Sequence, residues 1–330
     1  MQSCKRRFGI AGLLALAIGF ASGVARAQTE TYPAKSVKLI SDSAPGSHVD
    51  VTLRLFAERM SKVWGQQLIV LNHPGAGGAI SARVAAEAAP DGYMLYMPAT
   101  SVFLAVPGKA ANLPLQLPRD FTPIGFFSEN PMFIVASPKL GVSTLAELIA
   151  LAKQRPREIS YAVTGVGRLT HLTGELLQIR AGIELQTVPY TGGSAQALND
   201  VIGGRVSLVI EGYGGALGGA IQSGTLKALA HAATERLPEF PDVPTVAETI
   251  PGVTAFGWQV LLAPVGTPDA IVTKVSETLR RVVSDPELRQ VLAKRSSFTR
   301  ALSPAETLAF IQAEQQKWKP ALERISAAAR

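Results

Sequence analysis

Short apolar runs alternate with amphipathic segments along most of the chain. The run Val37–Ile40 is typical of a buried strand. A helix is predicted over 51–64, because apolar residues such as Phe56 and Met60 fall on one of its faces. Gly65 then ends that helix, and the next apolar run begins at Leu68.

The same alternation continues to the C-terminus. Further strands are predicted at 68–71, 93–97, 132–136, 160–163, 185–188, 208–210, 226–230 and 258–262. Further helices are predicted at 79–89, 144–154, 171–181 and 195–202, and from Pro268 onward with breaks at Pro286 and Pro304. Two proline-rich segments, 109–130 and 237–251, are interpreted as connections. The pattern therefore predicts two α/β halves with largely parallel sheets, arranged as a two-lobed clamshell.

The N-terminal segment has the three parts of a secretory signal peptide. A basic head at Lys5–Arg7 precedes an uncharged, mostly apolar stretch over 8–25, and Ala25–Ala27 forms an A-x-A cleavage pattern. A membrane anchor is the alternative, but the glycines inside the stretch and the cleavage pattern argue against it. We expect residues 1–27 to be removed on export to the periplasm.

Composition and charge narrow the function classes. The chain is 47% hydrophobic and 17% charged, which excludes a disordered protein. Much of the formal charge of +7 lies in the signal segment, so a nucleic-acid partner is not expected. The single cysteine, Cys4, also lies there, so the mature chain has neither a disulfide nor a catalytic cysteine.

Glycine-rich loops follow the predicted strands in both halves. Such loops let backbone N–H groups approach a ligand, and each helix start behind them adds positive partial charge. Because ligands of open α/β sheets bind at the carboxyl ends of strands, the loops predict an anion-binding cleft. They lie at 44–47, 74–78, 164–167, 190–194 and 211–215.

Sequence signatures of an enzyme are absent from the chain. There is no G-x-S-x-G or Walker A motif, and Gly165–Gly167 begins a dinucleotide-like pattern that Thr170 breaks. His48 and His73 lie on neighbouring predicted loops, where they could bind a metal ion or form local hydrogen bonds. Local hydrogen bonding is favoured, because zinc sites usually have three or more protein ligands. We expect no catalytic residue, no metal and no cofactor.

Taken in order, several motifs resemble the periplasmic receptors of tripartite tricarboxylate transporters, the Bug-type receptors, across nearly the whole mature chain. The motifs are Tyr32-Pro33, Ala44–Gly46 with Asp50, Asn72–Gly78, Pro90–Tyr93, Phe121–Ile124, Gly165–Gly167 with His171, Val188–Tyr190 with Gly192, Leu237-Pro238, Pro241–Thr245 with Glu248, and Ala263–Pro268.

The resemblance implies an α/β, two-lobed periplasmic binding protein of type II-like, Venus-flytrap architecture. It would have two mixed, mostly parallel sheets and a hinge that the chain crosses twice. We expect residues 28–129 plus 255–330 to form lobe 1 and residues 130–254 to form lobe 2.

The resemblance also implies a small carboxylate ligand, delivered to membrane subunits of a tripartite tricarboxylate transporter by a monomeric receptor. The ligand-binding residues that it and the loops predict are Ser43, Ala44, Pro45, Gly46, Ser47, Asp50, Asn72, Gly75, Ala76, Thr164, Gly165, Val166, Gly167, Arg168, His171, Thr191, Gly192 and Tyr213.

The chain departs from the family pattern at several of these positions. Ser47 replaces a usual second glycine, Ser43 stands where an aromatic residue is common, and Arg168 replaces a small polar residue. Arg168 is interpreted either as a bidentate grip on the carboxylate or as a solvated rim residue. Two other functions stay open: a ligand sensor acting on a membrane kinase and, less favoured, a periplasmic hydrolase.

Overall fold

A computed structural model describes residues 32–104, 115–190 and 194–328, and the predicted signal segment lies outside these ranges. The strands are β1 (Val37–Ser41), β2 (Leu68–Asn72), β3 (Met94–Met97), β4 (Phe121–Ala136), β5 (Ser160–Val163), β6 (Gln186–Pro189), β7 (Leu208–Gly212), β8 (Lys227–His231) and β9 (Phe256–Pro264).

Eleven α-helices lie in the described ranges. They are α1 (His48–Trp64), α2 (Ala79–Ala86), α3 (Thr100–Phe103), α4 (Leu145–Gln154), α5 (Leu169–Ala181), α6 (Ser194–Ile202), α7 (Gly215–Gln222), α8 (Val246–Thr249), α9 (Asp269–Val283), α10 (Pro286–Ala293) and α11 (Pro304–Ala328). No helix within 32–104, 115–190 and 194–328 combines the length and apolar character needed to span a bilayer.

The strands form one mixed sheet in the order β2-β1-β3-β9-β4-β7-β5-β6, with β8 also paired to β4. Parallel pairs lie towards the two ends, where β1 joins β2 and β3, and β5 joins β6 and β7. All pairs that involve β4 or β9 are antiparallel. The first lobe is therefore built on β1–β3 and the second on β5–β8.

Strand β4 belongs to both lobes. Its residues from Phe121 to Pro131 pair with β9, and its residues from Met132 to Ala136 pair with β7 and β8. The chain returns to the first lobe along β9. Strands β4 and β9 are therefore the two segments that cross between the lobes, as the prediction of a hinge crossed twice requires.

Local sequence signals set the bounds of the helices. The Ser47 side chain caps α1 by accepting the N–H of Asp50, and Gly65 ends the helix in a left-handed conformation. Helix α8 carries a full capping box between Thr245 and Glu248. Pro268, which is predicted as the first helical residue, stands at the N-cap of α9, and the helix begins one residue later at Asp269.

Three apolar clusters stabilise the layers on the sheet. One cluster joins both lobes, because it includes Tyr96 of β3, Tyr161 of β5 and Trp318 of the C-terminal helix α11. The second lies under α1 and α9, around Phe56, and the third lies in the second lobe. Helix α11 packs on α5 and β4, so the C-terminal segment bridges the two lobes.

The α/β, two-lobed prediction is confirmed, and the predicted strands and helices lie at or near their expected positions. Two expectations are wrong. The described strands form one mixed sheet with four parallel and four antiparallel pairs, whereas the resemblance implies two, mostly parallel sheets. The segment 109–130 is not simply a connection, because 121–130 forms the first part of β4. Its prolines and glycine obscured the strand pattern, and the pairing that stabilises it comes from β9. The boundaries at 129/130 and 254/255 stay predictions.

Candidate functional site

A cleft of about 610 Å³ lies between the two lobes. Its walls come from the loops that follow β1, β2 and β3 in the first lobe, and β5 and β7 in the second. These are the carboxyl ends of parallel strands, where open α/β sheets bind ligands. Asn130 of β4 and Gln259 of β9 contribute where the chain crosses between lobes.

The loop after β1 is fixed from behind by Asp50. Its carboxylate accepts the N–H of Gly46 (2.8 Å), the Nε–H of Arg54 (3.0 Å) and the side-chain amide of Asn72 (2.9 Å). Burial by itself would raise the pKa of Asp50, but these donors hold it below its usual value. Asp50 therefore orders the loop as a buried carboxylate.

The loop after β2 lies beside the first one. The Asn72 amide donates to the carbonyl of Ser43 (3.1 Å), which ties the two loops together. Gly78 has a φ of +98°, and a Cβ at this position would lie 2.5 Å from Val102 Cγ2 and 2.7 Å from Asp42 Oδ2. Only glycine fits this approach without strain.

Asp42 directs its carboxylate onto the same wall. The backbone N–H of Ala99, in the loop after β3, donates to both carboxylate oxygens at 3.0 and 3.1 Å. Burial raises the pKa of Asp42 to about 6, although the Ala99 N–H and the positive charge of Arg168 act in the opposite direction.

The second wall is polar around the start of α5 and the end of β7. The side-chain oxygen of Thr170 accepts the N–H of Thr164 (3.2 Å), and Arg168 precedes the first turn of α5 as an exposed N-cap residue. Glu211 accepts the hydroxyl of Ser194 (3.0 Å). Burial raises the pKa of Glu211, opposed by that hydrogen bond and by the charge of Arg168.

The two walls touch at His48. A Cβ placed on Gly214 of the second lobe would lie 2.9 Å from His48 Nδ1, and His48 Nε2 is 3.0 Å from Ser297 Oγ. Burial lowers the pKa of His48, and the charge of Arg295 lowers it further, so the imidazole is neutral at neutral pH. The structure thus has the two lobes in contact around the cleft.

The structure places many of the predicted site residues on the cleft walls. These are Ser43, Ala44, Ser47, Gly75, Ala76, Thr164, Arg168 and Tyr213. Tyr213 is largely buried by Phe133 and Phe240, and its hydroxyl accepts the amide of Gln222 (3.0 Å), so much of its ring packs in the second-lobe core. Thr191 and Gly192 lie outside the described residues.

Other predicted site residues do not line the cleft: Pro45, Gly46, Asp50, Asn72, Gly165, Val166, Gly167 and His171. Asp50 and Asn72 support the loops from behind. His171 is buried: its Nδ1 accepts the N–H of Gly167 (3.0 Å), and its Nε2 lies 3.5 Å from Glu175. We therefore assign His171 to holding the Gly167 loop.

His171 belongs to a polar network on the far side of α5. Glu175 accepts the hydroxyl of Tyr161 (3.1 Å) and the side-chain amide of Gln178 (3.0 Å), and it pairs with Arg324 of α11 (2.8 Å). Burial would raise the pKa of Glu175, but His171 and Arg324 hold it below its usual value. The network anchors the C-terminal helix to the helix that starts at the cleft.

The cleft also brings together several residues that the sequence pattern does not indicate as ligand-binding. Asp42 follows a strand directly, Asn130 and Gln259 come from the crossing strands, and Glu211 is the penultimate residue of β7. Glu211 lies within the glycine-rich loop predicted at 211–215. His171 and Glu175 are four residues apart, about one helical turn, and this spacing predicts that their side chains can pair.

Potential metal ligands are scattered in the described ranges, which hold no group of three or more histidine, cysteine, aspartate or glutamate side chains suited to a metal ion. The described residues of the cleft offer hydroxyls, backbone and side-chain amides, one imidazole, one guanidinium and two carboxyls, enclosed by two lobes. That arrangement suits a small polar solute surrounded on both sides.

Comparisons with known proteins agree with this geometry. The family model described as "Tripartite tricarboxylate transporter family receptor" matches residues 52–327. Protein BugT of Bordetella pertussis is 32% identical over 319 residues, which cover 96% of this chain and 96% of BugT.

Two solved structures show the same fold. R. palustris Rpa4515 with adipate has a TM-score of 0.79 and 30% identity, covering 89% of this chain and 98% of that one. MatC from Rhodopseudomonas palustris with bound malate has a TM-score of 0.75 and 28% identity, covering 88% and 100%. The chain therefore belongs to the tripartite tricarboxylate transporter family of receptors, which are periplasmic solute-binding proteins.

Proposed function

We propose that this receptor captures a small carboxylate, such as a dicarboxylate, tricarboxylate or aromatic acid, and delivers it to the membrane subunits of a tripartite tricarboxylate-type transporter. The observation that carries the proposal is the exposed Arg168 at the start of α5, facing a cleft lined with hydroxyls and backbone amides. The structures of relatives with adipate and malate support a carboxylate as the ligand class.

Binding would proceed by closure of the lobes about β4 and β9, the two strands that connect them. The guanidinium of Arg168 pairs with the carboxylate, with hydroxyls such as that of Thr164 nearby. Closure removes water from the cleft, which strengthens these polar contacts and excludes solutes that leave polar groups unpaired.

The test is a binding screen on the chain from residue 28 onward, unfolded and refolded to remove any co-purified ligand. A panel of aliphatic dicarboxylates and tricarboxylates, amino acids and aromatic acids is added in thermal-shift experiments. A ligand at about 100 times its Kd stabilises the folded state by about 2.7 kcal/mol. Isothermal titration then measures the Kd of each hit.

Two arginine variants locate the site. Arg168→Ala should weaken carboxylate binding at least tenfold, because it removes the guanidinium from the cleft wall. Arg180→Ala removes the same charge from the exposed C-terminal turn of the same helix and should leave the Kd unchanged. Absence of binding by any carboxylate, in a protein shown to be folded, would refute the proposal.

Export and delivery need their own measurements. We propose that residues 1–27 are cleaved, so the protein recovered from the periplasm should begin at Gln28 by mass spectrometry. Affinity capture from detergent-solubilised membranes, with and without the ligand found in the screen, should recover the transporter's membrane subunits. Recovery of a membrane kinase instead would favour a sensor.

A further inference from the structure

The charged side chains of the cleft do not match a simple dicarboxylate. Among the cleft residues that the structure describes, Asp42 and Glu211 are acidic and Arg168 is the basic one. His48 is neutral, because burial and Arg295 lower its pKa. A ligand with two carboxylates would therefore place two negative charges beside two acidic side chains.

Asp42 occupies one hydrogen-bond donor of the first-lobe wall, the N–H of Ala99. Both of its oxygens accept the N–H of Ala99, and its carboxylate lies against the Cα of Gly78. This is the glycine-rich wall that would otherwise receive an anionic group of the ligand. A carboxylate brought to this wall would meet another carboxylate, whereas a cation would find an acceptor already oriented.

Arg168 is left available on the opposite side. It acts on Asp42 and on Glu211 through its positive charge, and it makes no hydrogen bond to either. Glu211 is held by Ser194 across the second-lobe wall. The cleft thus has two acidic groups, Asp42 and Glu211, and one guanidinium that acts on both through its charge and can also take a carboxylate in bidentate fashion.

We propose that the ligand is zwitterionic: a carboxylate with a cationic nitrogen, whose carboxylate pairs with Arg168 and whose nitrogen lies between Asp42 and Glu211. The inference rests on the proposed carboxylate-receptor function and narrows its ligand class. Amino acids, ω-amino acids and aminoalkyl aromatic acids have the required groups.

The cost of burying the two acidic groups supports this assignment. Burial raises the pKa of Asp42 to about 6 and also raises the pKa of Glu211, so ionising them in the empty cleft is unfavourable. A bound ammonium group compensates that cost by direct pairing, which a second ligand carboxylate cannot do. Asp42 and Glu211 then favour ligands that carry a cationic nitrogen.

The test compares matched ligands by isothermal titration on the intact mature protein. The pairs are glutarate with glutamate, adipate with 6-aminohexanoate, and terephthalate with 4-(aminomethyl)benzoate; 1,5-diaminopentane tests a cation without a carboxylate. In at least one pair, the amino-bearing ligand should bind tenfold or more tightly than its partner. The diamine should bind more weakly than that ligand, because it leaves Arg168 unpaired.

Variants then assign the preference to the acidic groups. Asp42→Asn and Glu211→Gln should each reduce the preference at least tenfold, with improved binding of the amino-free partner. Glu277→Gln, an equivalent change on the exposed face of α9, should leave the preference unchanged. Thermal unfolding of each variant without ligand confirms that it is folded.

The outcomes separate this inference from the function on which it rests. Tighter binding of the amino-free ligand in every pair would overturn the zwitterion assignment and leave a carboxylate receptor. A preference unchanged in both Asp42→Asn and Glu211→Gln would overturn the role of these residues. No binding by any carboxylate on the panel would overturn both proposals.

Discussion

Replacing Asp42 by asparagine should stabilise the ligand-free protein at neutral pH. Burial raises the pKa of Asp42 from 3.8 to about 6, so the folded state holds its proton more tightly than the unfolded chain does. Between these two pH values the folded state binds more protons, and its free energy of unfolding therefore decreases as the pH rises.

The difference between the two pKa values corresponds to about 3 kcal/mol of destabilisation once the pH is well above 6. Asparagine cannot ionise, and its oxygen can still accept the N–H of Ala99, as a neutral and weaker acceptor. Allowing about 1 kcal/mol for that weaker hydrogen bond, Asp42→Asn should be more stable by about 2 kcal/mol at pH 7.5. At pH 3.5 the advantage should disappear.

Urea unfolding of the wild type and Asp42→Asn, measured in half-unit pH steps from 3.5 to 7.5, checks this expectation. Subtracting the two curves isolates Asp42 from the other titrating groups. Glu277→Gln serves as the control for removing an exposed carboxylate, and its difference curve should be flat. If the advantage of Asp42→Asn does not grow with pH, the burial argument is refuted.

Three further variants address closure, the α5–α11 contact and acid sensitivity. Gly214→Ala should weaken ligand binding at least tenfold in isothermal titration, because its methyl group would lie 2.9 Å from His48 Nδ1 and oppose closure; adding His48→Ala should recover part of the loss. Arg324→Ala should destabilise the protein by about 2 kcal/mol in urea unfolding, because it leaves the buried Glu175 without its partner at 2.8 Å. This value is below the usual cost of breaking a buried ion pair, because the Arg324 side chain is 40% exposed to solvent. Loss of less than 0.5 kcal/mol would contradict this, and Arg157→Ala, from an exposed pair, should cost below about 1 kcal/mol. Burial lowers the pKa of His231 from 6.5 to about 4, so it should contribute about 3 kcal/mol of stability at pH 7 that is lost as the pH falls through this range. His231→Gln should flatten that part of the stability curve, and an unchanged slope would count against the assignment.

The sequence predicts the fold wherever local signals and burial agree. Helix α1 has a serine cap, an apolar face and a terminal glycine, and each of these is readable without the structure. The first part of β4 could not be read in this way, because Pro118 stands just before it and Pro123 and Gly125 interrupt its pattern. Its strand conformation depends on β9, which comes much later in the chain.

The candidate site was predictable at the level of loops, and less so for side chains. The glycine-rich loops after strands predict a cleft at this edge of the sheet, and residues of these loops line the cleft between the lobes. Asp42 looks like an ordinary loop residue, because nothing near it in sequence reveals that Ala99, 57 residues away, supplies its hydrogen-bond donor. The family resemblance predicts His171 as a ligand-binding residue, whereas the structure places it in a buried pair with Glu175.

The sharing of β4 and β9 between the lobes has a consequence for biosynthesis. Strand β3 needs β9 as its neighbour, and about half of the chain lies between them. A nascent chain that has produced only β1, β2 and β3 has an exposed strand edge and lacks the partner that completes the first lobe. We therefore expect stable folding to wait until the C-terminal part has been made, which leaves the earlier polypeptide without a stable fold and able to pass through a membrane channel.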